Sequence, residues 1–112
     1  WGGSHAIRKQ KINKQIAINN QQNSSEQLLL QMQKTWNDLE ESYKQVLLAN
    51  ESVSEATENL RLNQDYFKAG TVSLTDLLDA ESLLQQSYDQ YTESNSDYQI
   101  KRSKYLQVTG RY

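Results

Sequence analysis

Between Met32 and Phe67 the chain repeats in steps of four and three: Met32, Trp36, Leu39, Tyr43, Val46, Asn50, Val53, Thr57, Leu60, Gln64 and Phe67. Steps of this kind return to one face of an α-helix every two turns, so the segment predicts a helix with a seam. One row of that seam, Met32, Leu39, Val46, Val53, Leu60 and Phe67, is apolar throughout. The companion row (Trp36, Tyr43, Asn50, Thr57, Gln64) turns polar toward Gly70. Such a seam packs against another helix and leaves one side wet. Upstream, nothing from Ser4 onward breaks a helix; the stretch is rich in Gln, Glu, Lys, Leu and Ala, which tolerate helical backbone angles well.

The pattern stops at Lys68-Ala69-Gly70-Thr71-Val72. Gly70 suits a helix C-terminus, where a left-handed residue is cheap only for glycine. Ser73-Leu74-Thr75-Asp76 follows, a Ser-x-x-Asp arrangement able to cap a new helix. Beyond it Leu77, Leu84, Tyr91, Tyr98 and Tyr105 fall seven apart, beside a small or mixed row of Ala80, Ser87, Ser94, Lys101 and Val108. Small residues let helices approach closely, while tyrosines bury a ring and keep the hydroxyl wet. The tyrosines at 91, 98 and 105 therefore read as packing residues. The expected fold is all-α: a long antiparallel helical hairpin, with a helix over 4–68, a tip turn over 69–73 and a helix over 74–109. At about 1.5 Å per residue the first helix spans about 90 Å and the second about 50 Å, so the upper arm of the first has no partner within the chain. That arm nevertheless carries Ile7, Ile12, Ile16, Ile18 and Leu28–Leu30, which marks the hairpin as part of a larger assembly.

Composition removes most other possibilities. Pro and Cys are absent and the only internal turn glycine is Gly70, so a β-sandwich, a barrel or an α/β domain has too few turn residues. Without Cys there is no disulfide framework and no thiolate metal site. Apolar runs such as Leu28–Leu30 and Val46–Ala49 fall far short of the ~18 residues of a membrane helix. Length bounds the chain to one domain, 1–112.

Charge is unevenly spread. Residues 1–22 hold Arg8, Lys9, Lys11 and Lys14 with no acid; residues 23–68 hold eight acids and four bases, and 69–112 six and four. The basic arm lacks the interleaved aromatics of a nucleic-acid surface and the large aromatic face of a lipid-surface helix, so it reads as a solvated face. His5 is the only histidine, and there is no Ser/His/Asp set or Gly-rich phosphate loop. These are not the residues of an enzyme, and no cofactor is implied. The candidate chemistry lies at the tip. Asp76 and Asp79, three apart, share a face in the first turns of the second helix. Helix capping and the macrodipole account for aspartates there. A ring of such carboxylates, gathered around an axis, would instead bind or repel ions. Ala69–Ser73 with Leu74 present Val72 and Leu74 at the end of a long lever, a candidate docking surface.

Phe67-Lys-Ala-Gly70-Thr-Val-Ser-Leu-Thr-Asp76-Leu-Leu-Asp79-Ala80 resembles the aromatic-x-x-Gly…Asp-(Leu/Val)-Leu-Asp-Ala signature of TolC-type outer-membrane efflux proteins, in the version of their second structural repeat. Trp1-Gly2-Gly3 is similar to the glycine pair where a membrane β-strand gives way to the long periplasmic helix. Ser54–Leu60 and the ending Tyr98…Leu106…Thr109-Gly110 fit the flanking helices. Phe67 stands where the family commonly has tyrosine, with Tyr66 one residue earlier, and Val72 stands where some members carry a gate arginine.

The resemblance implies one periplasmic hairpin of a homotrimeric channel in a Gram-negative outer membrane, six hairpins forming an α-helical tunnel below a shared β-barrel supplied by other segments. Exported drugs or other substrates would pass through it, driven by an inner-membrane transporter. Asp76 and Asp79 would line the narrow entrance, and Ala69, Gly70, Thr71, Val72 and Ser73 would meet the periplasmic adaptor (membrane fusion) protein. The competing expectation is a self-standing structural or interaction coiled-coil hairpin, in which the two aspartates only cap.

Overall fold

The computed structural model describes residues 2–111, with side chains described from Gln21 onward. His5 and the basic residues Arg8, Lys9, Lys11 and Lys14 lie outside the described side chains. Two helices make up the fold: α1 over Gly2–Lys68 and α2 over Leu74–Val108. They run antiparallel and pack on each other along α2, giving a hairpin with extents of 103 × 22 × 13 Å. The shortest dimension is about that of one helix with its side chains, so the molecule is a single layer.

Both helices end in the same way. The Gly70 N–H donates to the Phe67 carbonyl (3.0 Å) and the Thr71 N–H to the Tyr66 carbonyl (2.9 Å). At the far end the Gly110 N–H donates to the Gln107 carbonyl (3.2 Å) and the Arg111 N–H to the Leu106 carbonyl (2.7 Å). This paired closure needs a left-handed residue, and Gly70 (φ +77°) and Gly110 (φ +71°) supply it.

The seam is built around small residues. Among the described residues only Ser42, Ala49, Ala80 and Ser87 are buried. On α1 these belong to the row Thr35, Ser42, Ala49, Ala56 and Asn63, one position before the companion row expected from the hydrophobic pattern. Of that expected row, Trp36, Tyr43, Asn50, Thr57 and Gln64 are all exposed. The larger row behaves as the spacing predicts: Met32, Leu39, Val46, Val53 and Leu60 are half-buried, although Phe67, beside the tip, stays exposed. On α2 both expected rows face α1. Leu77, Leu84, Tyr91, Tyr98 and Tyr105 are half-buried, and Ala80 and Ser87 lie at the centre. The physical reason for the shift on α1 is approach distance. Two helices meeting on Ala and Ser come closer than two meeting on aromatic rings, and the rings are displaced to the edge of the contact. The buried serines bring no orphaned hydroxyls: Ser42 Oγ donates to the Leu39 carbonyl (2.8 Å) and Ser87 Oγ to the Leu84 carbonyl (2.7 Å).

Displaced rings stack across one edge of the seam. Trp36 and Tyr105 meet at a centroid distance of 5.3 Å and Tyr43 and Tyr98 at 5.7 Å, tilted by 55° and 52°. One heptad down α1 and one up α2 leads from the first pair to the second, which fixes the register. In that register α2 ends close to the level of Met32, and Gln21–Leu30 of α1 are exposed throughout, including Leu29 and Leu30 at 65%. The described ion pairs lie within single helices: Arg61 with Glu58 (2.6 Å) and Asp65 (3.2 Å), and Lys101 with Asp97 (3.5 Å). No helix of the described residues is long and apolar enough to cross a membrane.

Candidate functional site

The tip forms because two local signals meet within six residues. Gly70 closes α1, and Ser73, extended at φ −80° and ψ 164°, opens α2. Ser73 Oγ accepts the Asp76 N–H (3.2 Å), while Asp76 Oδ2 accepts the Ser73 N–H (3.0 Å). This reciprocal pair satisfies two of the donors that a helix N-terminus leaves open. Thr71 Oγ1 donates to the Tyr66 carbonyl (3.0 Å), tying the turn back to α1. Ala69, Gly70, Thr71 and Ser73 are exposed, Val72 is half-buried, and Leu74 is 56% exposed. Of the two apolar tip residues, Leu74 is therefore the one presented to solvent.

The two aspartates differ in their hydrogen bonding. The Asp76 carboxylate is engaged in the cap, and its pKa is held below the ordinary aspartate range, first by the Ser73 backbone N–H and then by the Ser73 hydroxyl. Asp79 is exposed one turn further on, with no side-chain hydrogen bond or ion pair among those described. The reciprocal cap thus involves Asp76 and not Asp79. Among the described residues no group of three His, Asp or Glu side chains converges on a metal position.

A second feature was not apparent in the sequence as a site. Trp36, Leu39, Glu40, Tyr43 and Tyr98 line an open groove of about 390 Å³ along the aromatic edge of the seam. The signal was present in the numbering. Trp36 and Tyr105 stand 34 and 35 residues from Gly70, so folding at the tip brings them level, and their partners one heptad nearer follow.

Comparisons with protein-family models, with curated proteins and with solved structures return no match to this chain.

Proposed function

We propose that this chain is a periplasmic helical hairpin of a trimeric outer-membrane efflux channel, with its tip at the tunnel entrance. The observation that supports the reading is where the family-like segment falls. Gly70 ends α1, Asp76 and Asp79 occupy the first two turns of α2, and all three are exposed at the end of a rod 103 Å long. The exposed stretch Gln21–Leu30 of α1 adds to it, because a ring of hairpins would supply the neighbours that α2 is too short to provide. In such a ring the tips close like an iris. Asp79, free of the cap, projects a carboxylate that sets the charge of the constriction, while Asp76 holds the tip in shape. Periplasmic adaptor docking at Ala69–Ser73 opens the entrance to the extent that the adaptor binds the splayed state better than the closed one. The hairpin does no chemistry; transport is powered by the inner-membrane partner.

The test is single-channel conductance, in a planar bilayer, of the longer protein that carries this hairpin, compared with its Asp79→Asn variant. The amide keeps the size of the carboxylate and removes its charge. A clear change in conductance or cation preference supports the entrance role. A channel indifferent to Asp79→Asn removes the residue from the entrance, and a folded protein that forms no channel leaves a structural, tethering hairpin.

A further inference from the structure

The aromatic groove has a chemistry that the packing of the hairpin does not require. It is lined by three aromatic side chains, Trp36, Tyr43 and Tyr98, together with Leu39 and the acidic Glu40. Trp36 and Tyr43 keep 45% and 49% of their surface exposed, although each already leans on a tyrosine of α2. Those tilted contacts hold the rings at fixed angles to one another. Glu40 is exposed and takes part in none of the described ion pairs. Lys44, four residues along, is not among the lining residues and forms no ion pair with it. Arg102, one turn from both Tyr98 and Tyr105, is exposed and also absent from the lining.

Ring faces carry negative quadrupolar potential, and a carboxylate beside them adds a full charge of the same sign. A hydrated metal ion or a primary ammonium gains little there, since it would lose water without finding enough oxygen donors. A quaternary ammonium is the cation that suits the groove, because its methyl groups bury against rings and its charge needs no hydrogen bond. About 390 Å³ lies within the ordinary range of small-ligand sites and exceeds the volume of a trimethylammonium head.

We propose that the groove of Trp36, Leu39, Glu40, Tyr43 and Tyr98 is a binding site for small organic cations of the quaternary ammonium class. The rings provide the contact area and Glu40 the charge selectivity. The site is complete within one hairpin and stands independently of any channel assembly.

The full chain is titrated with choline chloride and, separately, with 3,3-dimethyl-1-butanol, which has the shape of choline without the charge. Ionic strength is held constant with sodium chloride, because the site is exposed and screened. Binding is followed by NMR at the Trp36 indole N–H, in a Trp1→Phe background that leaves a single indole. The expected result is a saturable shift with choline about fivefold tighter than with the alcohol. Glu40→Gln reduces that preference to about twofold, and Tyr43→Leu, which keeps an apolar side chain but removes a ring, weakens choline about threefold. Equal affinity for choline and the alcohol overturns the proposal, as does an undiminished preference in Glu40→Gln. The absence of a saturable choline shift in a chain whose circular dichroism shows intact helices also overturns it.

Discussion

Ala49 tests whether the seam is a close contact on small residues. It retains 4% of its surface, and on α2 Ala80 and Ser87 are buried in the same seam at 2% and 8%. Ala49→Leu adds three heavy atoms where no space exists. The helices must separate or the side chain must leave its rotamer, at a cost of about 1–3 kcal/mol. The neighbouring change, Asn50→Leu, adds an apolar residue to a position that is exposed. There the main effect is helix propensity, a gain of about 0.5 kcal/mol. The two variants should therefore separate in opposite directions from the parent. At about 4–8 °C per kcal/mol for a domain of this size, their melting temperatures should differ by on the order of 10 °C. Circular dichroism at the helical minimum, with thermal and urea melts, measures the difference. If Ala49→Leu is neutral and Asn50→Leu stabilises strongly, the row Trp36, Tyr43, Asn50 is the true seam and the register argument fails.

Three further outcomes concern the tip. Ser73→Ala removes the hydroxyl that accepts the Asp76 N–H and should cost about 0.5–2 kcal/mol, with amide exchange accelerated most in the first turn of α2. Gly70→Ala meets no atom within 4 Å of its new Cβ, so its cost is the left-handed backbone alone, about 1–2 kcal/mol, and D-alanine at the same position should restore stability. Asp76 is depressed in the folded state, so its contribution is fully present above the ordinary aspartate range and is lost as pH falls through the lower folded value. The urea midpoints of the parent and Asp76→Asn should accordingly converge as pH falls through and below the ordinary aspartate range, and a gap that stays constant there would contradict the cap.

The ends of the helices were legible in the sequence because their signals are local. A glycine after the last turn and Ser-x-x-Asp before the next define backbone geometry without help from the rest of the chain, and both are used as read. The row Met32 to Leu60 was equally plain, since apolar side chains at heptad spacing have only one place to go. Its companion lies one residue before the row that the hydrophobic pattern predicts. Trp36 and Tyr43 carry far more apolar ring surface than Thr35 and Ser42, yet burial here follows how closely two backbones can meet. On α2 the small residues are legible, because Ala80 and Ser87 sit beside a row fixed by Leu77, Leu84 and the tyrosines. At the tip, the spacing of Asp76 and Asp79 put them on one face but gave no means of dividing them. Only the bond from the Ser73 N–H to Asp76 does so. The aromatic groove required both helices at once, so its residues appeared first as packing.

The closures at Gly70 and Ser73 also set the order in which the hairpin folds. A turn of a few residues brings the first pairs of the seam together at little loop-closure cost, and each later pair begins already close to its partner. Folding then proceeds as a zipper from the tip outward, fast for the chain's length because each step is local once the last is made. Unfolding runs the other way. Force that separates the open end meets the Trp36–Tyr105 contact before the Tyr43–Tyr98 contact and the tip last, so the turn is both the point of nucleation and the final element to yield.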